Sequence, residues 1–318
     1  MNAVVQKSFL IFLLALSLVS CNKDSNVDPI DESFNPEDPI IEDARALAKK
    51  LYNDLYLESA VTDDMTPWTG SATSCNPGTV PQATRDKILM RLDYFRKAVG
   101  LHNEILENGI KNDKAQRAAL MMHANSTLDH SPPNTWKCFS QEGKEGASNS
   151  LLTMIHNERA IDSYMRDHGA SNGPVGHRRW LLWPRLQEIG IGNTSRTNAI
   201  WVLGNAGAVP ENMPDFISWP PKGHIPNNLV YPRWSFSIRD ANFQNTKVSM
   251  TDESGNSIPL YQEKLDNAYG DRTIVWVPEG IQTNNTHDTP YTVTLKEVAI
   301  DGVLEDFTYT VILFDPSE

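Results

Sequence analysis

From residue 43 onward, apolar positions recur at helical spacing. Residues 43–56 put Ala46, Leu47, Leu51 and Leu55 on one face behind Asp43, an acidic residue suited to a first turn. Residues 84–99 repeat the period through Ile88, Leu92, Phe95 and Val99, and Gly100 stops them. A third helix is predicted over 113–128, rich in alanine and methionine, with Ala115, Ala118, Ala119 and Met122 toward a core. Its helical stretch runs on to His130-Ser131-Pro132-Pro133, which would set His130 at a helix end and on one face with His123. A fourth, from about 149 to 168, carries Leu152, Ile155, Ile161, Tyr164 and Met165. Two strand-like runs follow, 186–191 and 198–203.

After residue 213 the period changes from helical to alternating. Residues 234–239, 247–251, 273–277, 291–297 and 307–313 each read as a strand. Turn signals part them: Asp252-Glu253-Ser254-Gly255-Asn256, Tyr269-Gly270-Asp271 and Asp301-Gly302. Helices followed by short strands predict an α+β domain over 43–213, then an all-β sandwich of immunoglobulin-like size over 214–318. The segment Ile217-Ser218-Trp219-Pro220-Pro221-Lys222-Gly223 reads as a stiff connection between them. No catalytic constellation stands out in the second half, whose plainest role is a spacer or adhesion module.

The start of the chain belongs to neither domain. Lys7 precedes an apolar run over 9–19 that is too short to span a membrane and has the shape of a secretory signal, residues 1–20. It ends Leu18-Val19-Ser20-Cys21, which resembles a bacterial lipobox and predicts lipidation of Cys21. Residues 21–42 are acidic, with Lys23 the only base and Pro29, Pro36 and Pro39 among them, as an extended tether would be. The expected location is the cell envelope, lipid-anchored, on the periplasmic or the cell-surface side, with the membrane as a partner through Cys21. A net charge of −12 argues against a general nucleic-acid binder. Cys75 and Cys138 remain, both in loop-like sequence; in an exported protein they are expected to pair, two free thiols being the alternative.

The stretch with the clearest chemistry is Gly176-His177-Arg178-Arg179-Trp180, placed just after the loop Gly169-Ala170-Ser171-Asn172-Gly173-Pro174. Loops on a rigid scaffold carry function disproportionately. His177 and His130 are therefore read as facing one groove, although a histidine beside proline serves as readily as a structural hydrogen-bonder. Arg178 and Arg179 are expected to pair with the protein's own acids ahead of a ligand's carboxylate or phosphate. Trp180, Trp183 and Trp201 are read as core, or one of them as cleft lining. The sequence holds no His-Glu-x-x-His run, no Gly-x-Ser-x-Gly elbow and no P-loop.

Several runs in order carry a family resemblance: Arg91-Leu92-Asp93-Tyr94-Phe95-Arg96, Ala115 to Ala119, His123-Ala124-Asn125, His130-Ser131-Pro132, Gly176-His177-Arg178, Ile189-Gly190-Ile191-Gly192 and Ala199-Ile200-Trp201-Val202. Together they resemble the CAP superfamily of cysteine-rich secretory, antigen 5 and pathogenesis-related 1 proteins. The resemblance covers about residues 85–205. It implies an α-β-α sandwich with an open cleft, in which two histidines and two acidic residues can hold a divalent metal. His130 and His177 match the histidines. Ser148, followed by Asn149, stands where the family's first glutamate would be, and either Asp167 or Glu158 takes the second acidic position.

What the resemblance implies for function is a cleft formed by His130, Ser148, Asn149, Asp167, His177 and Arg178. It would bind a lipid, peptide, glycan fragment or partner protein without clear catalysis. The alternative is a metal-assisted hydrolase of peptide or cell-wall material, with His130, His177 and Asp167 or Glu158 as catalytic candidates and His130 and His177 holding zinc. A third reading makes the protein a scaffold whose cleft is vestigial.

Overall fold

The structure is a computed structural model describing residues 43–62, 65 and 68–318. The expected signal segment, Cys21 and the acidic tether lie outside the described residues. Those residues form one compact unit.

Helix α1, Ala44–Leu51, starts on the Asp43 side chain, which accepts from Arg45 N at 3.1 Å, and widens into a π-helical turn, Tyr52–Leu57. The predicted face is displaced: Leu47 is 46% exposed, and Tyr52 rather than Ala46 turns inward. Helix α2, Gln82–Ala98, buries Ile88, Leu92 and Phe95 as its spacing predicts and ends at Gly100, whose φ is +83°. A short strand β1, Leu106–Glu107, leads to α3, Gly109–Asn125, capped by the Asn108 side chain, which accepts from Ile110 N and Lys111 N.

The third helix thus begins and ends earlier than its periodicity suggests. Ser126 takes a left-handed φ of +51°, and Asn125 Nδ2 donates to Met121 O and to Lys137 O, turning the chain aside. His130 is therefore in a loop, not at a helix end, and shares no helix face with His123. The predicted fourth helix divides. Helix α4, Gln141–Asn149, is followed by strand β2, Ser150–Thr153, and then by α5, Arg159–Arg166. Every residue of β2 is buried, and pairing with a later strand outweighs the helical reading of two leucines. Ile155, expected on a buried face, is 43% exposed.

Helix α6, Gly176–Leu181, precedes β3, Glu188–Asn193, and β4, Asn198–Trp201, close to the two strands read from sequence. The four strands make one sheet in the order β1-β3-β4-β2, parallel only at β1–β3. Helix α3 lies close on it: a Cβ on Gly192 would come within 2.1 Å of Ala115 O. The expected pair forms as the disulfide Cys75–Cys138, tying the loop before α2 to the loop after α3 across a separation of 63 residues. Closing a loop of that size is worth about 4 kcal/mol on the chain-entropy model.

The strand-rich half contains β5, Ile217–Trp219, β6, Gly223–Pro226, β7, Trp234–Ser237, β8, Ala241–Asn242, β9, Lys247–Thr251, and β10, Ser257–Ile258. It continues with β11, Leu260–Gln262, β12, Thr273–Pro278, β13, Thr289–Ile300, and β14, Val303–Phe314. One sheet runs β10-β9-β13-β14-β6 with β8 beside β13; the other runs β11-β12-β7-β5. The proline-rich connection is partly sheet: Trp219 is fully buried on β5 and its ring lies 5.1 Å from that of Phe95 on α2. An α+β chain with helices first and strands last is what the periodicities predict.

Arginine ties these parts together. Arg91 on α2 bonds Ser59 Oγ at 2.6 Å, Tyr56 O at 3.1 Å and the Asp162 carboxylate of α5. Burial pushes the Asp162 carboxyl up from 3.8 to about 6, while Arg91 and a Tyr56 hydrogen bond pull the other way and Glu158 adds to the rise. The folded chain then holds this proton more tightly than the unfolded chain. Stability conferred by the protonated form is therefore lost as pH rises between 3.8 and about 6. Asp162→Asn should remove up to about 3 kcal/mol of pH dependence across that window, read from urea unfolding at stepped pH. A variant that keeps the wild-type slope would contradict this.

Candidate functional site

The site grows from a sharp reversal between α5 and α6. Asp167 closes α5 with a φ of +50°, and Val175, just before α6, has a φ of +48°. Aspartate tolerates the left-handed region because its short side chain can bond locally. Here it bonds across the reversal. Asp167 Oδ2 accepts from His177 N at 2.9 Å and from Arg178 N at 3.4 Å, and Oδ1 accepts from His177 Nδ1 at 2.7 Å. The Asp167 side chain is fully buried, whereas that of His177 keeps 24% of its surface exposed.

A carboxylate can only accept, so His177 carries its proton on Nδ1 and leaves the Nε2 lone pair free. His130 repeats the arrangement by other means: Nδ1 donates to Ala147 O in the last turn of α4 at 3.0 Å, again leaving Nε2 free. Both imidazoles line one cleft of about 390 Å³. The last residues of α4 stand beside them. Ser148 Oγ donates to Glu145 O at 3.0 Å, and Asn149 Nδ2 donates to Glu145 O at 2.9 Å and to Ser148 Oγ at 3.1 Å.

Of the residues predicted from sequence, the cleft brings together His130, Ser148, Asn149 and His177. Asp167 lies behind His177 and acts through it rather than lining the cleft. Glu158, the other acidic candidate, is 4% exposed at the start of α5 and absent from the cleft wall. Arg178 corrects its expected place in the cleft. It is 1% exposed and turned away, donating from Nε to Met165 O at 2.7 Å and from Nη1 to Arg233 O at 2.8 Å and Ser235 Oγ at 3.1 Å. Its partners are two carbonyls and the Ser235 hydroxyl rather than the acids expected, and burial draws its guanidinium down to about 10, Asp167 opposing.

The reading of sequence missed half of the wall. Ser150 and Leu151 enter on β2, which was taken for helix, and Val202 and Leu203 follow β4. Ser171 and Asn172 lie in the glycine-flanked loop already singled out, so a signal for them was present. Trp180, left open between core and cleft, lines the cleft. Tyr269 comes from the strand-rich half and had no signal. Its ring lies so near Gly176 that a Cβ there would sit 3.0 Å from it, and Arg179 lies 5.6 Å from the ring centroid. Arg179 also donates to Asp266 O and Asp271 O, both at 2.8 Å, which fixes the loop that carries Tyr269.

A zinc ion would find too few donors here. A catalytic zinc site wants three protein ligands. Both Asp167 oxygens are taken by α6, and the Ser148 hydroxyl is turned to a carbonyl, which leaves two imidazoles. Among the described residues no group of three or more His, Cys, Asp or Glu could hold a metal. The donor set does not fit a resident zinc.

Residues 89–203 match the CAP family, described as the cysteine-rich secretory protein family, so this part of the chain is a CAP domain. The match takes in His130, Ser148, Asn149, Asp167 and His177 and stops at Leu203. No curated protein matches the chain. Among solved structures, PcoC, a methionine-rich copper resistance protein from Escherichia coli, aligns at 14% identity over 30% of this chain and 92% of its own, with a TM-score of 0.22. A likeness that slight carries no argument about fold or copper.

The Asp167 carboxylate should be worth about 2 kcal/mol through its charge-assisted bonds. Asp167→Asn keeps the left-handed turn accessible but places an amide NH₂ against N–H donors. The expected result is that loss in urea unfolding; a variant as stable as the parent would mean the carboxylate does not organise the reversal.

Proposed function

We propose that the protein is an exported lipoprotein, anchored through Cys21, whose cleft binds an organic ligand at the cell envelope without catalysing its conversion. The observation that carries this reading is the state of the two histidines. Each lines the cleft with Nδ1 committed to a fixed acceptor, so in the neutral ring Nε2 is the nitrogen left to accept a hydrogen bond. A concave wall of apolar and aromatic groups with a few oriented polar ones is the usual composition of a ligand pocket.

The Asp167–His177 pair also has the form of an oriented general base, which keeps a hydrolase in view. Covalent hydrolysis by this pair would need a side-chain nucleophile in its reach. Ser148, which shares the cleft wall, gives its proton to Glu145 O instead. A metal-bound water would need the third ligand that the cleft lacks.

Calorimetric titration of the full chain with zinc tests this, beside the His130→Ala/His177→Ala double variant. The expected result is no binding tighter than about micromolar, far short of the ~10–16 kcal/mol of structural zinc sites. Tight one-to-one binding that disappears in the variant would overturn the metal-free reading and favour the metal-assisted hydrolase.

A further inference from the structure

The geometry points to a short, uncharged saccharide as the ligand of the cleft, a refinement that rests on the binding reading above. Three observations converge on it. The first is charge. Among the described residues that line the cleft, none is Asp, Glu, Lys or Arg, although the chain as a whole is strongly charged with a net −12. Phosphates, sulfated or carboxylated sugars and charged peptides would meet no permanently charged side chain in the wall, only the two imidazoles, after losing water.

The second observation concerns hydrogen bonding. His130 and His177 present acceptor nitrogens, and Asn149, Ser171 and Asn172 add amide and hydroxyl groups around them. Ser150 also lines the cleft, but its hydroxyl is buried within β2 and offers the cavity no accessible polar atom. Sugar hydroxyls both donate and accept, which suits a wall that mixes both roles. An acyl chain would leave the imidazole Nε2 atoms and the amide oxygens of Asn149 and Asn172 without a partner from the ligand.

The third observation is the pair of aromatic residues. Trp180 comes from α6 and Tyr269 from the strand-rich half, both partly exposed into the same cleft. The C–H faces of a pyranose pack on aromatic faces while its equatorial hydroxyls stay free for polar partners. At about 390 Å³ the cleft lies at the small end of the ~300–1,000 Å³ typical of ligand pockets, which favours a short oligomer or a chain end.

The test uses the full chain and neutral trisaccharides of glucose, mannose, galactose and N-acetylglucosamine. Sodium decanoate and trialanine serve as probes of the acyl and peptide alternatives. Saturation-transfer NMR and tryptophan fluorescence read binding. At least one trisaccharide should bind, with transfer from aromatic ring protons to sugar ring protons. Trp180→Ala and Tyr269→Ala should each weaken it by about tenfold, and Tyr269→Phe by less than about twofold, since the ring remains. Ring-to-sugar transfer in the unaltered protein stands even if an alanine variant unfolds. Binding of decanoate or trialanine but of no trisaccharide would overturn the saccharide and leave the binding role intact. Trisaccharide binding that neither shows ring transfer nor responds to the aromatic variants would overturn the site. No binding of any probe would count against both readings.

Discussion

Everything at the cleft depends on one buried carboxylate. Asp167 sits in a left-handed turn and accepts three N–H groups from the first residues of α6. Those bonds place the helix start, hold the His177 ring and select its tautomer together. The backbone carbonyl of the same residue is also engaged: Arg233, from the strand-rich half, donates to Asp167 O at 2.9 Å and to Gly169 O at 3.0 Å, while its Nε pairs with Glu263 at 2.8 Å. Arg178 returns the connection by donating to Arg233 O. The basic pair after His177, a natural candidate for ligand contact, instead anchors the helix that presents the histidine to the half of the chain that closes over it. Long planar donors suit this work because one guanidinium reaches several carbonyls at once.

That division of labour explains why the cleft itself is neutral. Charges are used behind the wall, where carbonyls and the Asp167 carboxylate balance them, and the cavity surface is left to imidazole, hydroxyl, amide and aromatic groups. Ser148 brings a hydroxyl to the cleft rather than a charge, so a neutral, hydroxyl-rich molecule would not have to strip water from a charge there. The strand-rich half is then more than a spacer, since Tyr269 supplies part of the wall and Arg179 fixes its loop.

Sequence made some of this legible. Helix α2 could be read because one face is fully buried at Ile88, Leu92 and Phe95, and β9 because its alternation is clean. The two histidines and Ser148 came from ordered runs with glycine and proline neighbours. Strand β2 was hidden because a short apolar run does not distinguish a buried strand from a helix; its identity comes from β4, nearly fifty residues away in sequence. The end of α3 was hidden because it rests on the Asn125 side chain reaching Lys137. Asp167 and Glu158 could not be told apart by position, since only the left-handed turn directs one of them toward His177. Tyr269 and Arg233 act over distances that no local pattern encodes.

The central claim is that both histidines offer Nε2 to the cleft as acceptors, and ring-nitrogen NMR tests it most directly. Long-range nitrogen–proton correlation spectra of the nitrogen-labelled full chain, recorded with the histidines neutral, report which ring nitrogen of His130 and His177 carries hydrogen. The account predicts the Nδ1–H tautomer for both, with His177 changing in Asp167→Asn and His130 unaffected. The Nε2–H tautomer at either residue in the unaltered protein would contradict it.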